Sequence, residues 1–206
     1  MEILQATVDF EHELMPPHSS HEWWGRGTML ICYPVRERAY WICFARGPID
    51  SAEIAGGLKA TMLSLCRGWV APVEALVEAT PADAVARAEA VWRAPARRWG
   101  EGRVTLLGDA AHPMTPHLAQ GAGQAIEDAV VLARHLGEDG DVVSALRSYE
   151  RKRIPRTAQL VRENSAAAAL ARIQHPAAVP LRNRLLGRVL PTIAWKHWRK
   201  HLAYDF

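Results

Sequence analysis

The chain has 206 residues, of which 49% are hydrophobic and 23% charged, a composition typical of a globular protein with a substantial core. No apolar run approaches the roughly 20 residues of a transmembrane helix, and no signal peptide is recognisable, so we expect a cytoplasmic protein. The net charge of +3 divides into +10 over residues 151–206 and −7 over residues 1–150. Such a basic end either meets nucleic acid or anionic lipid, or pairs with the acidic remainder of its own fold.

The three cysteines are Cys32, Cys43 and Cys66. They form neither a CxxC pair nor a His-paired metal spacing, so the sequence predicts reduced, buried thiols. It also offers no metal-ligand cluster, no phosphate-binding P-loop and no nucleophilic Ser or Cys triad. Hydrolase and kinase activities therefore have no support in the sequence.

The first 45 residues are predicted to form strands. Rough alternation of apolar and polar residues over 2–14 indicates one strand, and a loop rich in Pro and Ser follows, with Trp23 and Trp24 also in a loop. Two runs rich in aromatic and β-branched residues, 28–35 and 38–45, are separated by Arg36-Glu37. This spacing predicts a hairpin within an antiparallel sheet.

Helices are predicted next. Residues 51–66 carry Ile54, Leu58, Met62 and Leu65 at helical spacing, with Ser51 as N-cap. A second helix is predicted over 69–78, ended by Thr80-Pro81, and residues 84–92 fit either a strand or a helix.

The stretch from Gly102 to Leu136 combines a short apolar run, an acid, a bare loop and a helix. Residues 104–107 and the closing Gly108 are typical of a strand buried on both faces of a parallel sheet. Asp109 then stands at the carboxyl end of that strand, where ligands bind in open α/β sheets. The sequence therefore predicts that Asp109 meets a hydroxylated ligand.

The helix that follows is predicted from an apolar stripe, with Gly137 as its C′ residue. At its start, Gly121 and Gly123 leave backbone N–H groups open to a ligand, and the helix dipole adds partial positive charge. The stripe consists of Ile126, Ala129, Val130, Ala133 and Leu136.

The C-terminal region is predicted to be helical. A helix after Gly140 meets Pro155, where we expect a kink or a new helix, and an Ala-rich helix covers 157–174. Another helix is predicted over 181–190. The last segment, 193–206, places Trp195, Trp198 and Leu202 on one face, which either packs against protein or lies on an anionic membrane surface.

The stretch from Gly102 to Leu136 resembles the second flavin-binding motif of the FAD-dependent aromatic hydroxylases, the family of para-hydroxybenzoate hydroxylase, salicylate hydroxylase and zeaxanthin epoxidase. The resemblance implies FAD as cofactor, with Gly108 closing the strand, Asp109 on the ribityl hydroxyls and Pro116 beside the reactive edge of the flavin. It places the amides of Gly121, Ala122 and Gly123 near the N1–C2=O side, where they stabilise negative charge on reduced flavin.

Two residues depart from this family pattern. Ala119 stands where the family usually has Gly, and this adds strain if the backbone there needs a positive φ. Gly123 stands where many members have Asn, which leaves only a backbone amide. Within the same loop, His112 is expected to hold the loop by hydrogen bonding and His117 to be partly exposed, so neither is assigned as catalytic.

The hairpin region carries the same resemblance through the run from Gly27 to Pro34 and Tyr40-Trp41. In the family such strands form the floor of the substrate pocket. The resemblance implies that Met29, Ile31 and Trp41 face an aromatic substrate. The alternative is that these three side chains are simply sheet core.

The sequence lacks a G-x-G-x-x-G loop after a first strand, which the family uses to bind the ADP half of FAD. Three hypotheses stay open. In the first, the chain is a C-terminal part or split half of an FAD-dependent monooxygenase that uses NAD(P)H and O2 on an aromatic or alkene substrate, and an N-terminal Rossmann partner or a homo-oligomer completes it. In the second, the chain is a non-catalytic binding or regulatory module. In the third, it is a basic peripheral module that meets membrane or nucleic acid through residues 151–206.

The first hypothesis is the prediction we adopt. It gives a partial aromatic-hydroxylase fold of α/β (α+β) class, with an antiparallel substrate sheet, the Gly-Asp flavin strand, a helical C-terminus and no N-terminal Rossmann half. The expected organisation is a substrate-domain portion over 1–102, a flavin-binding strand, loop and helix over 103–140, and a helical region over 141–206.

Overall fold

The structure is a computed structural model that describes residues 1–45, 47, 49, 54–138 and 140–202, without the side chains of 190, 191, 193–195, 197, 198 and 200–202. These residues form an α+β fold with an antiparallel sheet, and they fall into two compact units, 1–90 with 171–185 and 91–170 with 186–206. The strands are β1 Glu2–Val8, β2 His21–Trp24, β3 Met29–Val35, β4 Arg38–Phe44 and β5 Ala86–Glu89. The helices are α1 Leu58–Cys66, α2 Val73–Ala79, α3 Gly121–Glu138, α4 Val142–Ala171 and α5 Ala178–Leu202.

The first unit is built on the five strands, which are antiparallel in the order β2-β3-β4-β1-β5. The predicted hairpin is confirmed: β3 and β4 pair across the Arg36-Glu37 turn, with Val35 opposite Arg38 and Met29 opposite Phe44. β2 was not predicted, because its His-Glu-Trp-Trp sequence follows a Pro-rich loop and shows no long alternation. β5 settles the ambiguous stretch 84–92 as a short edge strand.

Period-two alternation sends alternate residues of the sheet to opposite faces. One face packs against α1 and α2, and its centre includes Leu4, Leu30, Trp41, Met62 and Leu76, each fully buried. The opposite face carries Ile3, Met29 and Phe44, with Ala171 packed against them. All three cysteines are free and buried as predicted, and burial raises the pKa of Cys32 to about 12 and of Cys66 to about 11, which keeps these thiols protonated.

Helix predictions in this unit differ from the structure only at the helix starts. The helix predicted over 51–66 is observed as Leu58–Cys66, and residues 51–53, with the proposed Ser51 cap, lie outside the described residues. The helix predicted over 69–78 begins at Val73 and ends as expected before Thr80-Pro81, where the residue preceding proline is pushed into extended geometry.

The second unit contains α3 and most of α4, with a small core of Trp99, Ala111, Val131 and Tyr149. The predicted strand over residues 104–107 is not part of the sheet in the structure. Leu107 is extended, with φ −142° and ψ 146°, but the only strand-type pairing that this segment makes with described residues is an isolated bridge from Val104 to Glu101. Since no parallel strand lies beside it among the described residues, Val104 is 66% exposed instead of buried.

The apolar stripe of α3 is exposed as well. Ile126 is 66% exposed and Val130 42% exposed, whereas Gln124 and Asp128 on another face are fully buried. The helix also runs through Gly137 to Glu138, so Gly137 is not the C′ residue. Hydrophobic periodicity therefore located the helix correctly, but the apolar stripe is not the face that this chain buries.

The C-terminal region is helical as predicted, with fewer breaks. α4 continues through Pro155, and Pro180 falls in the first turn of α5, where the missing N–H costs little. The side chains of Trp195, Trp198 and Leu202 lie outside the described residues, so their predicted shared face stays a prediction. No helix within the described part of the chain has both the length and the apolarity to cross a membrane.

Candidate flavin site

The turn at Gly108 and Asp109 is the centre of the candidate site. Gly108 has φ +58°, a left-handed conformation that favours glycine, and it begins a short 3-10 helix, Gly108–Ala110. A Cβ at Gly108 would lie 3.1 Å from the Cβ of Ala125, so the turn passes close to α3. The next residue, Asp109, is exposed, and the structure gives its carboxylate no hydrogen bond to any described residue. The turn therefore presents a carboxylate to the solvent.

The loop from Pro113 to Gln120 leads to the start of α3. Pro116 begins a 3-10 helix, Pro116–Leu118, which Ala119 ends with φ +49° and ψ +32°. The backbone at Ala119 is therefore left-handed, so the departure from the family's usual glycine puts an alanine where a Cβ is unfavourable.

The first turn of α3 supplies backbone donors. Gly121, Ala122 and Gly123 have no carbonyl four residues earlier inside the helix, so their N–H groups are available to a ligand and carry the positive end of the helix dipole. Ala122 and Gly123 are exposed, and a Cβ at Gly123 would meet no atom within 4 Å. Open space at Gly123 leaves room for a ligand beside this turn.

Asp128 of α3 ties the turn, the loop and α4 together. Its Oδ2 accepts a 2.9 Å hydrogen bond from the Gly108 N–H and lies 2.6 Å from the Nε2 of His112. Its Oδ1 accepts a 2.6 Å bond from the Nε of Arg153 on α4. Asp128 and Arg153 are both fully buried, so this is an ion pair shielded from water. The expectation that His112 holds the loop by hydrogen bonding is confirmed.

The ion pairs extend along one face of α3. Glu127 accepts a 2.6 Å hydrogen bond from the Nε of Arg156, a 2.7 Å bond from its Nη2 and a 2.7 Å bond from the Nη1 of Arg153. Arg153 also donates to the side-chain oxygen of Gln124 at 2.8 Å. Burial disfavours both carboxylates, but hydrogen bonds from Arg156 and Arg153 lower the pKa of Glu127, and those from His112, Arg153 and Gly108 lower the pKa of Asp128.

A second residue of α4, Asn164, holds the end of the loop that lies near α3. Asn164 is fully buried, and its Oδ1 accepts a 3.0 Å bond from the N–H of Leu118, beside the left-handed Ala119. His117 is 5% exposed, so the expectation that it is partly exposed is wrong. The hydroxyl of Thr115 and the Nδ1 of His112 are buried without a hydrogen-bond partner among the described residues. These two loop atoms are therefore available to hydrogen-bond a ligand.

The three residues predicted to contact substrate divide between the two faces of the sheet. Met29 and Ile31 share one face with Phe44, but Trp41 pairs with Cys32 and lies on the other face. Trp41 is fully buried against α1 and α2, and its indole N–H donates a 3.0 Å bond to the Oγ1 of Thr80. The structure does not bring Trp41 together with Met29 and Ile31, because the two-residue turn fixes the register.

A sequence profile described as an FAD binding domain matches residues 4–164, well over half of the chain. The chain belongs to this FAD-binding family, that of the FAD-dependent aromatic hydroxylases. Aurachin C monooxygenase/isomerase of Stigmatella aurantiaca is 36% identical over 166 residues, covering 80% of this chain and 43% of that protein. 3-hydroxybenzoate 6-hydroxylase 1 of Aquipseudomonas alcaligenes is 47% identical over 108 residues, covering 52% of this chain and 27% of that protein.

Solved structures of the family give the same architecture. Klebsiella pneumoniae HpxO, complexed with FAD and uric acid, matches with a TM-score of 0.76 and 28% identity, over 94% of this chain and 52% of that one. A salicylate hydroxylase substrate complex matches the fold with a TM-score of 0.77 and 19% identity over 99% of this chain and 54% of that one. The chain thus spans about half the length of the family members that it matches.

FAD is the cofactor of this family, and the second unit suits it chemically. Asp109 offers an exposed acceptor to ribityl hydroxyls, and the first turn of α3 offers open backbone donors and a positive dipole end. The buried, unpartnered hydroxyl of Thr115 adds a further polar atom in the intervening loop. Among the described residues no group of three or more His, Cys, Asp and Glu side chains is arranged to hold a metal ion.

Sequence reasoning missed the residues that hold the turn at Gly108 and Asp109, and the loop after it, in place. Asp128, Gln124, Arg153 and Asn164 make the contacts described above, yet none was selected from the sequence. The available signal was spacing: Gln124 and Asp128 lie four residues apart, on a face of α3 away from the apolar stripe. Arg153 carries no such local signal, because its partner Asp128 lies 25 residues earlier in the sequence.

Proposed function

We propose that this chain is the substrate-sheet and second flavin-motif portion of an FAD-dependent monooxygenase. The observation that carries the proposal is the left-handed Gly108 turn, which presents an unpaired, exposed Asp109 while Asp128 holds the turn from behind. When bound and reduced by NAD(P)H, FAD supplies the chemistry that activates O2 for transfer of one oxygen atom to an aromatic or alkene substrate. The three free, buried cysteines fit a reducing, cytoplasmic location.

Each residue of the site has a separate role in this proposal. Asp109 accepts hydrogen bonds from the ribityl hydroxyls, and Pro116 lies beside the reactive edge of the ring. The amides of Gly121, Ala122 and Gly123 donate toward the side of the ring that becomes negative on reduction, where fixed donors stabilise charge without reorganisation. Met29 and Ile31, on the sheet face away from α1 and α2, contact the substrate. Trp41 lies on the other face of the sheet and is therefore not assigned to the substrate.

The exposed apolar residues of the second unit support a partner for it. Leu107 is extended and partly exposed, the following α3 exposes an apolar stripe that includes Ile126 and Val130, and an extended segment followed by such a helix is one half of a parallel βα unit. We propose that a dinucleotide-binding Rossmann portion, in the same polypeptide or in another, supplies the neighbouring strands and the phosphate-binding loop for the ADP half of FAD.

The visible absorption spectrum of the purified chain tests the proposal, recorded after adding FAD and removing unbound cofactor. We expect a retained flavin band that Asp109→Ala weakens and Asp83→Ala, which removes an exposed acid of the first unit, leaves unchanged. Loss of one charge-assisted hydrogen bond corresponds to roughly a tenfold weaker FAD affinity. A band that is retained equally by both variants would remove Asp109 from the site.

A further inference from the structure

A cavity of about 590 Å³ lies in the first unit, between the turn that joins β2 to β3 and helix α1. Its volume is within the range of small-molecule sites, roughly 300 to 1,000 Å³. None of the residues assigned above to flavin or substrate lines it, so it calls for a separate explanation. Its walls include Arg26, Thr28, Thr61, Ser64, Arg67 and Trp69.

Two arginines give this cavity its charge. The Nε of Arg26 donates a 2.6 Å hydrogen bond to the backbone carbonyl of Gln174, which fixes the plane of the guanidinium. The structure records no carboxylate partner for Arg26 and no hydrogen bond or ion pair for Arg67 among the described residues. No acidic residue is among the described residues that line the cavity, although residues 1–150 carry a net charge of −7. Within the part of the chain that the structure describes, the two cations therefore have no counter-ion in the cavity.

The remaining walls suit a flat ring with a polar substituent. Trp69 is held in place because Gly25 lets the indole lie against the backbone, where any Cβ would overlap the ring. Thr28 is almost fully buried and Ser64 is exposed, and both offer hydroxyls that donate to an oxyanion. Arginine forks bind carboxylates bidentately and stack on aromatic rings.

We propose that this cavity is a binding site for a small aromatic carboxylate, which Arg26 and Arg67 hold by its charge and Trp69 by its ring. The site goes beyond the proposed function, because it requires neither flavin nor the partner that completes the flavin site. Two guanidinium groups without a carboxylate partner among the described residues favour an anion over a neutral ligand, and the indole favours an aromatic anion over a bare one.

Isothermal titration of the full chain at low ionic strength tests this site with three probes: benzoate, its neutral analogue benzamide, and inorganic phosphate. We expect benzoate to bind about tenfold more tightly than either of the others, because benzamide lacks the charge and phosphate lacks the ring. Added salt should weaken benzoate binding. Equal binding of benzamide would refute the anion site, and equal binding of phosphate would refute the aromatic part of the proposal.

Arg26→Gln and Arg67→Gln should each weaken benzoate binding by about tenfold. Arg97→Gln, an exposed arginine that does not line the cavity, removes the same charge and should leave the affinity unchanged. Near-ultraviolet circular dichroism verifies that each variant is folded. Retention of FAD is scored on the same samples and should be unaffected by all three substitutions, so failure of the carboxylate site and failure of the proposed function give different results.

Discussion

At Ala119 an ordinary residue occupies a conformation that suits glycine. Its φ of +49° places the Cβ close to the following carbonyl oxygen, which costs about 1 to 2 kcal/mol. We expect Ala119→Gly to raise the free energy of unfolding by about 1 kcal/mol, since the relief exceeds the extra entropy that glycine gives the unfolded chain. Urea denaturation measures the change.

The matched control for this substitution is Ala122→Gly, three residues further along in the first turn of α3. Its backbone has no positive φ, so only the loss of helix propensity applies, and the variant should be about 0.5 to 1 kcal/mol less stable. If both glycine variants lose stability, the left-handed geometry at Ala119 carries no strain.

The family and its cofactor could be predicted from the sequence because the Gly-Asp motif is a local pattern. The assignment of Trp41 could have been corrected from the sequence as well. A two-residue turn at Arg36-Glu37 makes Trp41 pair with Cys32, which puts it on the opposite face from Met29. Which of these faces the helices cover depends on packing between distant segments, and the sequence pattern does not contain that information.

At the scale of elements, the close approach between α3 and the turn at Gly108 and Asp109 depends on Gly108. Gly108→Ala should lower stability by about 2 to 4 kcal/mol, because it adds left-handed strain and a contact 3.1 Å from Ala125. Gly102→Ala is the control: its φ is +54°, but a Cβ there meets no atom within 4 Å. Its cost should be about 1 to 2 kcal/mol, the strain alone. Equal losses in thermal unfolding would mean that the turn does not pack tightly on α3.

The buried polar face of α3 makes stability depend on pH. The folded pKa of Asp128 is lowered below the unfolded value of about 3.9, so its contribution is present above that pH and is lost as the pH falls through the folded pKa. Asp128→Asn leaves Arg153 buried without its charge partner and should cost about 3 to 5 kcal/mol at neutral pH. Urea unfolding should show this deficit shrinking below about pH 4.

Asp83→Asn is the control for that series, because Asp83 is exposed and should change stability by less than about 0.5 kcal/mol at any pH. A deficit for Asp128→Asn that stayed constant down to pH 2 would mean that its effect is one of shape and not of charge. The orientation of α3 explains why this face was missed. Apolar periodicity identifies the side of a helix that can be buried, whereas ion pairs such as Asp128–Arg153 depend on α4, which follows later in the sequence.

At the scale of the whole molecule, the antiparallel sheet, the helices and the flavin motif could be predicted because each depends on short-range pattern. The strand over Val104–Leu107 could not, because a strand also needs neighbours to pair with. Its sequence is that of an interior strand, yet Val104 is 66% exposed in the described chain. This combination of an interior-strand sequence and high exposure is what we expect if the proposed Rossmann portion supplies the neighbouring strands of the sheet.

The apolar stripe of α3 should therefore govern association and contribute little to the stability of the chain itself. Ile126 and Val130 are 66% and 42% exposed, whereas the adjacent Val131 is 1% exposed. Exposed apolar patches of this kind mark interaction surfaces, so we expect the purified chain to self-associate with rising concentration in sedimentation velocity. The double variant Ile126→Glu with Val130→Glu should stay monomeric and lose less than about 1 kcal/mol of stability.

Val131→Ala provides the opposite pattern, because it removes buried methyl groups. It should lower stability by about 2 kcal/mol and leave self-association unchanged. If the Glu pair instead unfolded the chain while Val131→Ala did not, the stripe would be part of the core of this chain. The proposed Rossmann partner would then have no apolar face of α3 to cover, and the flavin site would have to be completed from another surface of the second unit.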